Sequence, residues 1–404
     1  MRNTKTHCRL IILVIIILLP FRSTILFAEK EYGQFQISLL TYSPGEKLYS
    51  IFGHSALRVY DKSTDWVYNY GTFDFDDPHF YLNFLKGELM YRLSRMPFNY
   101  VLKNIEQENR SLIETPLLLS VEQKAKVIKY LEMNYLPENR EYRYDFLFNN
   151  CATKIIDVIN FGTSNLTGYN PMATPHWSFR QLLYPYLEKR PWIHMGVDFL
   201  MGLPADRKTE GTEASFLPDY LHLQLKNARI AEISGNDSEL SLSDKIHFHE
   251  IPRKQKSQIK PEWVLWPLVL ICMISLIFGT YFSVFFTWLN NALLLSFGAI
   301  GFILLLMWIV TDHYIFNFNP DLLWANPLFF IIPFLKIKTG NKTRYRTKIF
   351  FLFLLLFLAS LGTVLSIIIE RNLNVAAVSI LILTALYEKI RTIYRVRDSW
   401  STTY

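Results

Sequence analysis

Residues 144–156 read YDFLFNNCATKII, an aromatic, strand-like run that leads into two asparagines, a cysteine and the start of an amphipathic helix. Asn149 or Asn150 is expected to cap that helix, because a short polar side chain accepts hydrogen bonds from the first helical N–H groups. Cys151 then lies in the first turn, where the positive end of the helix dipole favours a thiolate. This pattern is typical of a nucleophilic cysteine, although a single cysteine is more commonly a buried structural residue.

The composition predicts that part of the chain lies in a membrane. Half of the 404 residues are hydrophobic, 19% are charged, and the mean hydropathy is +0.14. Soluble globular proteins are rarely this apolar. A net charge of +7 would suit a nucleic-acid-binding protein, but many of the basic residues fall in two short segments between or after apolar runs. Because no nucleic-acid-binding motif accompanies them, we expect a membrane protein without a nucleic-acid partner.

The N-terminal residues 1–28 have the features of a secretory signal peptide. Three basic residues precede the apolar run Leu10–Leu19, and Ala28 offers a small residue for cleavage. Leu26 lies at the −3 position and makes the cleavage site imperfect, so an uncleaved anchor is the alternative. In both cases the domain that follows is expected to be exported.

Residues 29–232 are predicted to form this exported domain, with an α+β fold. Strands are expected at Gln34–Tyr42, His54–Asp61 and Trp66–Tyr70, where apolar and polar residues alternate. A helix is expected over residues 120–135, because Ser120 and Gln123 form a capping box ahead of an apolar stripe. Residues 160–230 look less regular. Residues 233–260 are polar and lack periodicity, which indicates a linker that is in part a strand or a flexible arm.

Residues 261–404 are predicted to form a helical transmembrane domain of about four to five spans. A helix needs about 20 apolar residues to cross a bilayer. A broken span over residues 322–335 and the last span, Val375–Tyr387, are the two doubtful ones, so four spans and a re-entrant piece are the alternative. The other predicted spans are Val264–Phe285, Ala292–Val310 and Ile349–Ile369.

Two basic clusters, at residues 336–348 and 389–397, predict the orientation of these spans. The positive-inside rule places both clusters in the cytoplasm. Counting back through three spans puts residues 29–260 and the loop 311–326 outside, in agreement with the signal peptide. We therefore expect a multi-pass protein of the cytoplasmic (inner) membrane with its soluble domain in the periplasm.

Cys151 is the one thiol of the predicted exported domain, because Cys8 lies in the signal segment and Cys272 in an apolar run. An unpaired cysteine in an oxidising compartment indicates a use for the free thiol. A cysteine acyl-transfer site needs a base, a group that orients the base, and donors for the oxyanion. Among nine histidines His54 is the best candidate base, since it starts a strand directly after a glycine.

The group that orients His54 is expected on the neighbouring strand of the hairpin. Asn69 and Tyr68 are both candidates, and an asparagine in this role is an accepted variant of the Cys-His pair. Arg58 shares the strand parity of His54, so it is a candidate to bind an acidic head group, with an ordinary surface charge as the alternative. The histidines are scattered without metal-ligand spacing, so we expect no metal and no cofactor.

Three short segments together resemble the Lnb family of bacterial lipoprotein N-acyltransferases. They are FGHSALRV at 52–59, YNYGTF at 68–73 and NNCAT at 149–153. The order of histidine before cysteine is also similar to the circularly permuted papain-like group, which includes the NlpC-type hydrolases and the lecithin:retinol acyltransferase family. The resemblance to Lnb covers most of residues 35–230 and continues into the membrane part, where His313, Asn319 and residues 323–328 are similar.

The resemblance implies a permuted papain-like domain in which Cys151 is the nucleophile and His54 the base. It does not fix the third member, for which Asn69 is the choice made from strand parity. Tyr68, Asn150, His313 and Asn319 are, with Arg58, further candidates for binding substrate. The implied reaction moves an acyl chain from a phospholipid to Cys151 as a thioester. The chain then passes to the N-terminal amine of a diacylglyceryl-modified lipoprotein. Two alternatives stay open: a membrane-anchored peptidoglycan peptidase or amidase with the same Cys-His pair, and a papain-like envelope protein that binds without catalysis.

Overall fold

The computed structural model describes residues 32–73, 79, 82–83, 86–163, 166–167, 176–231, 237–252, 258–278, 283–335, 342–370 and 373–401. The predicted signal peptide lies outside these ranges, and so do residues 336–341 of the basic cluster at 336–348. The chain divides into two compact units. The first consists of residues 1–84, 88–177 and 209–253, and the second of residues 85–87, 178–208 and 254–404.

The first unit is built on antiparallel strands with helices packed on both faces. Its strands are β1 (Gln36–Tyr42), β2 (His54–Tyr60), β3 (Asp65–Thr72), β4 (Met90–Pro97), β5 (Leu112–Pro116), β6 (Glu141–Arg143), β7 (Leu166–Thr167), β8 (Arg229–Ala231), β9 (Asp237–Glu239) and β10 (Lys245–Phe248). Its helices are α1 (Phe98–Glu108), α2 (Val121–Tyr135), α3 (Cys151–Thr163) and, in the second half of the chain, α6 (Pro218–Lys226). The predicted α+β class and the predicted strands and helix of this region are confirmed.

Seven of these strands form one sheet in the order β10-β5-β1-β2-β3-β4-β6. Strand β1 pairs with β2 from Gln36↔Tyr60 to Tyr42↔His54. Alternate residues of these strands point to opposite faces, because side chains in a strand have a period of two. On one face Leu39 and Leu57 pack with the core formed by α2, α3 and α6, and on the other Leu40 and Ala56 pack against α1.

The segment predicted as a linker, 233–260, contributes strands to the first unit. Strand β10 pairs with β5 through Lys245↔Glu114 and Ile246↔Ile113, and so forms one edge of the seven-stranded sheet. Just before it, Asp244 accepts hydrogen bonds from Thr115 and His222 and from the Lys226 ammonium. These contacts come from two distant parts of the chain, β5 and α6, which explains why the local sequence indicated only part of this order.

A buried ion cluster joins β2, β5 and β10 on the α1 face. The Arg58 Nη1 donates to Glu114 Oε2 at 2.9 Å, and Nε and Nη2 donate to the two Asp65 oxygens, each at 2.8 Å. His247 Nε2 lies 2.5 Å from the same Glu114 oxygen. Glu114 is therefore the carboxylate through which three strands are tied together, at 1% side-chain exposure.

We expect Glu114→Gln to destabilise the first unit by about 3 kcal/mol, because removing one partner leaves a buried charge without compensation. The measurement is urea unfolding followed by hydrogen exchange of the β2 and β10 amides. Glu122→Gln is the control, since its pair with Lys126 is exposed at the surface of α2, with Glu122 at 80% exposure. An equal effect of the two substitutions would contradict a tying role for Glu114.

The second unit is helical. Its helices are α4 (Phe179–Leu187), α5 (Pro191–Leu200), α7 (Glu262–Phe278), α8 (Ser283–Val310), α9 (Lys342–Glu370) and α10 (Leu373–Ser401). Among the described residues two stretches are long and apolar enough to cross a membrane, Val284–Val310 and Tyr345–Ile368, and the apolar Glu262–Phe278 is shorter. Helix α10, which contains the weak predicted span, is buried along one face against α7, α8 and α9. Its hydropathy signal is weak because the buried face includes Ser379 and Thr384 and because charged residues follow from Glu388 onward.

The predicted broken span at 322–335 is not a helix. The chain there forms short 3-10 turns at Pro320–Leu323, Pro327–Phe330 and Ile332–Phe334. A proline early in each turn removes an N–H donor that a continuous helix would need. Gly301 of α8 allows close contact with this segment, since a Cβ there would lie 1.8 Å from the Ala325 carbonyl oxygen. Irregular backbone at membrane depth is tolerated where protein surrounds it.

Candidate active site

The first turn of α3 is held by the side chain of Asn150. Its Oδ1 accepts hydrogen bonds from the N–H groups of Ala152 and Thr153, at 2.8 and 3.0 Å. Its Nδ2 donates to the carbonyl oxygens of Phe146 and Phe216, at 2.7 and 2.8 Å. Asn150 is thus the cap, and it anchors the start of the helix to two loops. Its polar groups are used in building the site, which differs from the substrate-binding role expected for it.

Asn149 has a different role from its neighbour. Its Nδ2 donates to the Arg143 carbonyl oxygen at 2.6 Å, and its backbone pairs with Asp145. The Asp145 carboxylate accepts from the N–H groups of Leu147 and Phe148. This turn directly precedes Cys151. Of the two asparagines before the cysteine, Asn149 therefore stabilises the turn and Asn150 caps the helix.

Cys151, His54 and Asn69 come together at the open end of the β2–β3 hairpin. His54 Nε2 and Asn69 Oδ1 are 2.6 Å apart. Because Asn69 occupies Nε2, Nδ1 is the nitrogen available to the thiol, and the neutral tautomer carries its proton on Nε2. The pairing of β2 with β3 ends at Leu57↔Tyr68. The strands therefore separate before they reach His54, and the hairpin leaves room for the start of α3.

Gly71 lies directly against this pair. A Cβ at Gly71 would be 3.6 Å from the Cys151 Cβ and 3.7 Å from the His54 Cε1. The residue has a φ of +91°, which L-residues rarely adopt. It follows an irregularity between Asn69 and Thr72 in the pairing of β3 with β4. Glycine is therefore favoured here by the backbone turn, and a methyl group in its place would make ordinary van der Waals contact with Cys151 and His54.

The charge state of the pair favours an ionised thiol. Burial alone would raise the pKa of Cys151. The charge of His54, a hydrogen bond with it and the N–H groups of Ser55 and Ala152 outweigh burial, so the pKa is lowered. Burial would likewise lower the pKa of His54, but the Cys151 charge and hydrogen bonds with Cys151 and Asn69 raise it. A thiolate–imidazolium pair is therefore favoured at a pH where an ordinary cysteine is protonated.

Two expected site residues of the first unit lie elsewhere. Tyr68 points to the opposite face of the sheet from Asn69, where its hydroxyl donates to Glu132 and lies 3.4 Å from Arg95 Nη1. Arg58 is on the His54 face but is bound to Asp65 and Glu114, with its guanidinium 3.6 Å from the Phe98 ring centroid. Four residues along a strand separate it from His54 by about 13 Å. The structure therefore places Asn69, and not Tyr68, against His54, and it places Arg58 in the buried ion cluster with Asp65 and Glu114.

The other two candidates lie in the second unit. Asn319 caps the 3-10 turn Pro320–Leu323 by accepting from the Asp321 N–H at 2.9 Å, and its Nδ2 donates to the Phe199 carbonyl oxygen at 2.7 Å. His313 packs edge-on against Phe316. A Cβ at Gly87 would lie 3.3 Å from its ring. Asn319 thus stabilises the loop that the sequence predicted as a lipid-binding element.

Sequence reasoning missed the aromatic surroundings of the thiol. Four tyrosines lie close enough to Cys151 for its charge to raise their pKa values, in addition to the larger effect of burial; they are Tyr42, Tyr91, Tyr142 and Tyr144. They come from three separate strands and the segment before α3, so no local motif marks them. Within the described residues no group of three potential metal ligands is found.

We expect Gly71→Ala to reduce activity at this site by about 10²-fold, because the added methyl group, although it fits at ordinary contact distance from Cys151 and His54, fills space that an entering substrate needs. Backbone strain at positive φ should cost about 1–3 kcal/mol in addition. Gly211→Ala is a matched control, since Gly211 also has a positive φ, +52°, but nothing lies within 4 Å of its Cβ position. Cysteine acylation rates of both variants test this. An equal loss of acylation rate in Gly71→Ala and Gly211→Ala would assign the effect to backbone strain alone.

Comparison with known families follows the division into two units. Residues 28–183 match the model of the Lnb N-terminal periplasmic domain, and residues 253–398 match that of the Lnb transmembrane domain. Searches of curated proteins and of solved structures give no significant match. The two family models occur in the expected order and agree with the antiparallel domain and the apolar helices described above. The chain therefore belongs to the Lnb family, as a membrane protein with a periplasmic domain followed by a transmembrane domain.

Proposed function

We propose that this protein is a lipoprotein N-acyltransferase of the inner membrane, with Cys151 as its acyl-carrying nucleophile. The observation that carries the proposal is the Cys151–His54–Asn69 arrangement within a periplasmic domain of the Lnb family. Membership in this family supports a membrane enzyme of lipoprotein processing. The transfer of an acyl chain through cysteine is our inference from the chemistry of the site.

In the first half-reaction the Cys151 thiolate attacks an ester carbonyl carbon of a phospholipid. The carbonyl π electrons move onto oxygen, and the tetrahedral intermediate collapses by breaking the bond to the glycerol oxygen. The His54 imidazolium gives its proton to that oxygen, which leaves as a lysophospholipid alcohol. Cys151 is then a thioester, and His54 is neutral with its Nε2 proton held by Asn69.

In the second half-reaction the neutral α-amine of a diacylglyceryl-cysteine attacks the thioester carbonyl carbon. Neutral His54 accepts the proton that the amine loses, and collapse expels the Cys151 thiolate. The products are an amide on the lipoprotein and the restored thiolate–imidazolium pair. A thiolate is a good leaving group, so a neutral amine suffices as the acceptor.

The family assignment supports this substrate choice on physical grounds. Both the acyl donor and the lipoprotein acceptor are anchored in a bilayer, and a catalytic domain attached to membrane helices meets them at a high effective concentration. A peptidoglycan hydrolase with the same thiol site has no need of a multi-helix membrane domain. Phospholipid and diacylglyceryl lipoprotein are therefore the partners we propose.

The test is a two-step labelling experiment on the full chain in vesicles that contain phospholipid with radiolabelled acyl chains. We expect label on the protein that hydroxylamine removes, because thioesters are cleaved by it. Addition of a diacylglyceryl-cysteine peptide should move the label to the peptide as an amide that resists hydroxylamine. Label released only as free fatty acid would indicate a lipid hydrolase, and soluble muropeptides released from peptidoglycan would indicate a peptidase.

A further inference from the structure

The hydroxyl group of Tyr142 is buried close to Cys151 and makes no hydrogen bond of good geometry within the described residues. Tyr142 lies on β6, opposite Tyr91 of β4. Lys154, on the first turn of α3, places its ammonium 5.2 Å from the centroid of the Tyr142 ring. The ring is therefore beside the turn that begins with Cys151. A buried hydroxyl whose proton has no acceptor costs free energy, so a fold that retains one needs a reason.

Gly71 connects this hydroxyl to the thiol. Its N–H lies near enough to the Tyr142 oxygen to influence that group, and its Cα carries no side chain between Cys151 and His54. An N–H directed at a phenol oxygen can occupy only its acceptor side. The phenol proton thus remains available to a third group that enters beside the Cys151 sulfur.

Tyr142 differs from the other tyrosines of this region. Tyr70 also has a buried hydroxyl without a hydrogen-bond partner in the described part of the chain, and its ring is 6.0 Å from that of Tyr142. The charges that act on the Tyr70 hydroxyl are those of Tyr130 and Asp157, whereas Cys151 acts on Tyr142. The rings of Tyr91 and Tyr144 stack on each other with their centroids 4.1 Å apart. Neither hydroxyl is both buried and without a hydrogen bond.

The backbone at the start of α3 offers a second donor. Asn150 takes the N–H groups of Ala152 and Thr153, and the Lys154 N–H bonds to the Asn150 carbonyl oxygen. The Cys151 N–H is the first-turn donor that this cap does not use, and a helix provides it with no carbonyl of its own. Oxyanion sites are commonly built from two donors of this kind.

We propose that Tyr142 is a catalytic residue that donates its hydroxyl hydrogen bond, together with the Cys151 N–H, to the acyl carbonyl oxygen. This inference rests on the proposed acyl transfer and names a further residue of the same site. As the Cys151 sulfur bonds to the carbonyl carbon, the π electron pair moves to oxygen, and Tyr142 stabilises that negative charge without transferring its proton. The carbonyl reforms on collapse, and the same contact serves the attack of the amine on the thioester.

Burial raises the pKa of the Tyr142 phenol well above its usual range, so the group stays protonated and able to donate at physiological pH. Because the oxyanion exists only in the intermediate and its transition states, the contact should lower kcat more than it changes KM. Nothing in this role requires Tyr142 to change the ionisation of the thiol.

The test compares Tyr142→Phe with Tyr70→Phe in the full chain in detergent micelles, with p-nitrophenyl butyrate as the acyl donor. We expect Tyr142→Phe to acylate Cys151 about 10²-fold more slowly at saturation, the usual effect of removing one oxyanion donor. Tyr70→Phe removes an equally buried hydroxyl away from the thiol and should acylate at the wild-type rate. The rate of iodoacetamide alkylation against pH should be the same for all three proteins.

A second measurement distinguishes loss of the hydrogen bond from a change in side-chain packing that slows acylation of Cys151 in Tyr142→Phe. An alkyl trifluoromethyl ketone forms a tetrahedral adduct with a thiol, and its affinity should fall by a factor similar to that in the acylation rate for Tyr142→Phe only. Acylation of Tyr142→Phe within threefold of wild type would overturn the proposal, as would an equal loss in Tyr70→Phe or a displaced alkylation profile. Acylation by the activated ester does not require the enzyme to recognise a phospholipid.

If Tyr142→Phe slows acylation by this ester as expected while phospholipid does not acylate the wild-type protein, the proposed function is rejected and the oxyanion role of Tyr142 is kept.

Discussion

Cys151→Ala is expected to abolish both the hydroxylamine-labile acyl label and N-acylation, with a residual rate at least 10³-fold below wild type. The reason is that the proposed reaction has a covalent intermediate on this sulfur. Without the nucleophile the intermediate cannot form, so the whole reaction is lost and not only one stabilising contact. The substitution itself is small. Cys151 begins α3, and the Asn150 cap does not use the thiol, so the helix start should persist.

Labelling with radiolabelled phospholipid, and the N-acylation state of lipoproteins in cells that carry the variant, measure this effect. Cys272→Ala is the matched control, because Cys272 is the other described free cysteine and is buried in α7 of the second unit. The Cys272→Ala variant should retain the hydroxylamine-labile acyl label. N-acylation that persists in Cys151→Ala, or that is lost equally in Cys272→Ala, would contradict the role of Cys151.

His54→Ala is expected to lower acyl transfer by about 10³-fold, within the range for loss of a general acid–base group. It should also change the thiol itself. Without the imidazolium charge and its hydrogen bond, burial dominates and the pKa of Cys151 rises above its usual value. Alkylation by iodoacetamide at pH 7 should then slow by more than tenfold and recover only at alkaline pH.

The sign of this pH effect follows from the directions of the two pKa values. In wild type the Cys151 pKa is lowered and the His54 pKa is raised, so the thiolate forms at a lower pH than in an ordinary cysteine and the imidazolium persists to a higher pH than in an ordinary histidine. A plateau of alkylation should therefore begin below the pKa of a free thiol. His249→Ala, outside the site on the loop after β10, should keep the plateau. An unchanged profile in His54→Ala would show that His54 does not ionise the thiol.

Much of the first unit was predictable because its signals are local. Alternation of apolar and polar residues predicted β1, β2 and β3, because alternate side chains of each strand pack in the apolar core with α2, α3 and α6. Ser120 and Gln123 predicted the start of α2, and both capping hydrogen bonds are present. Asn150 and Cys151 likewise marked the start of α3, because a cap satisfies N–H groups only a few residues away.

Features that depend on distant partners were not predictable in this way. Strand β10 is polar, and it is ordered by pairing with β5 and by the contact of His247 with Glu114. Arg58 shares the parity of His54, as predicted, but parity says nothing about the carboxylates of Asp65 and Glu114 that bind it. The 3-10 turns at 320–334 are apolar enough to resemble a span, and their prolines prevent a continuous helix.

The sequence by itself determined the family, the two-domain organisation and the identity of the thiol, histidine and capping asparagine, because each rests on residues adjacent in the chain. Only the tertiary structure decided that Asn69 rather than Tyr68 meets His54, that Gly71 lies against the thiol, and that the Tyr142 ring lies near Lys154 at the start of α3. Those choices depend on where the β2–β3 pairing ends and on how β6 and α3 pack beside it. Such contacts join residues up to about 100 positions apart, and no local pattern encodes them.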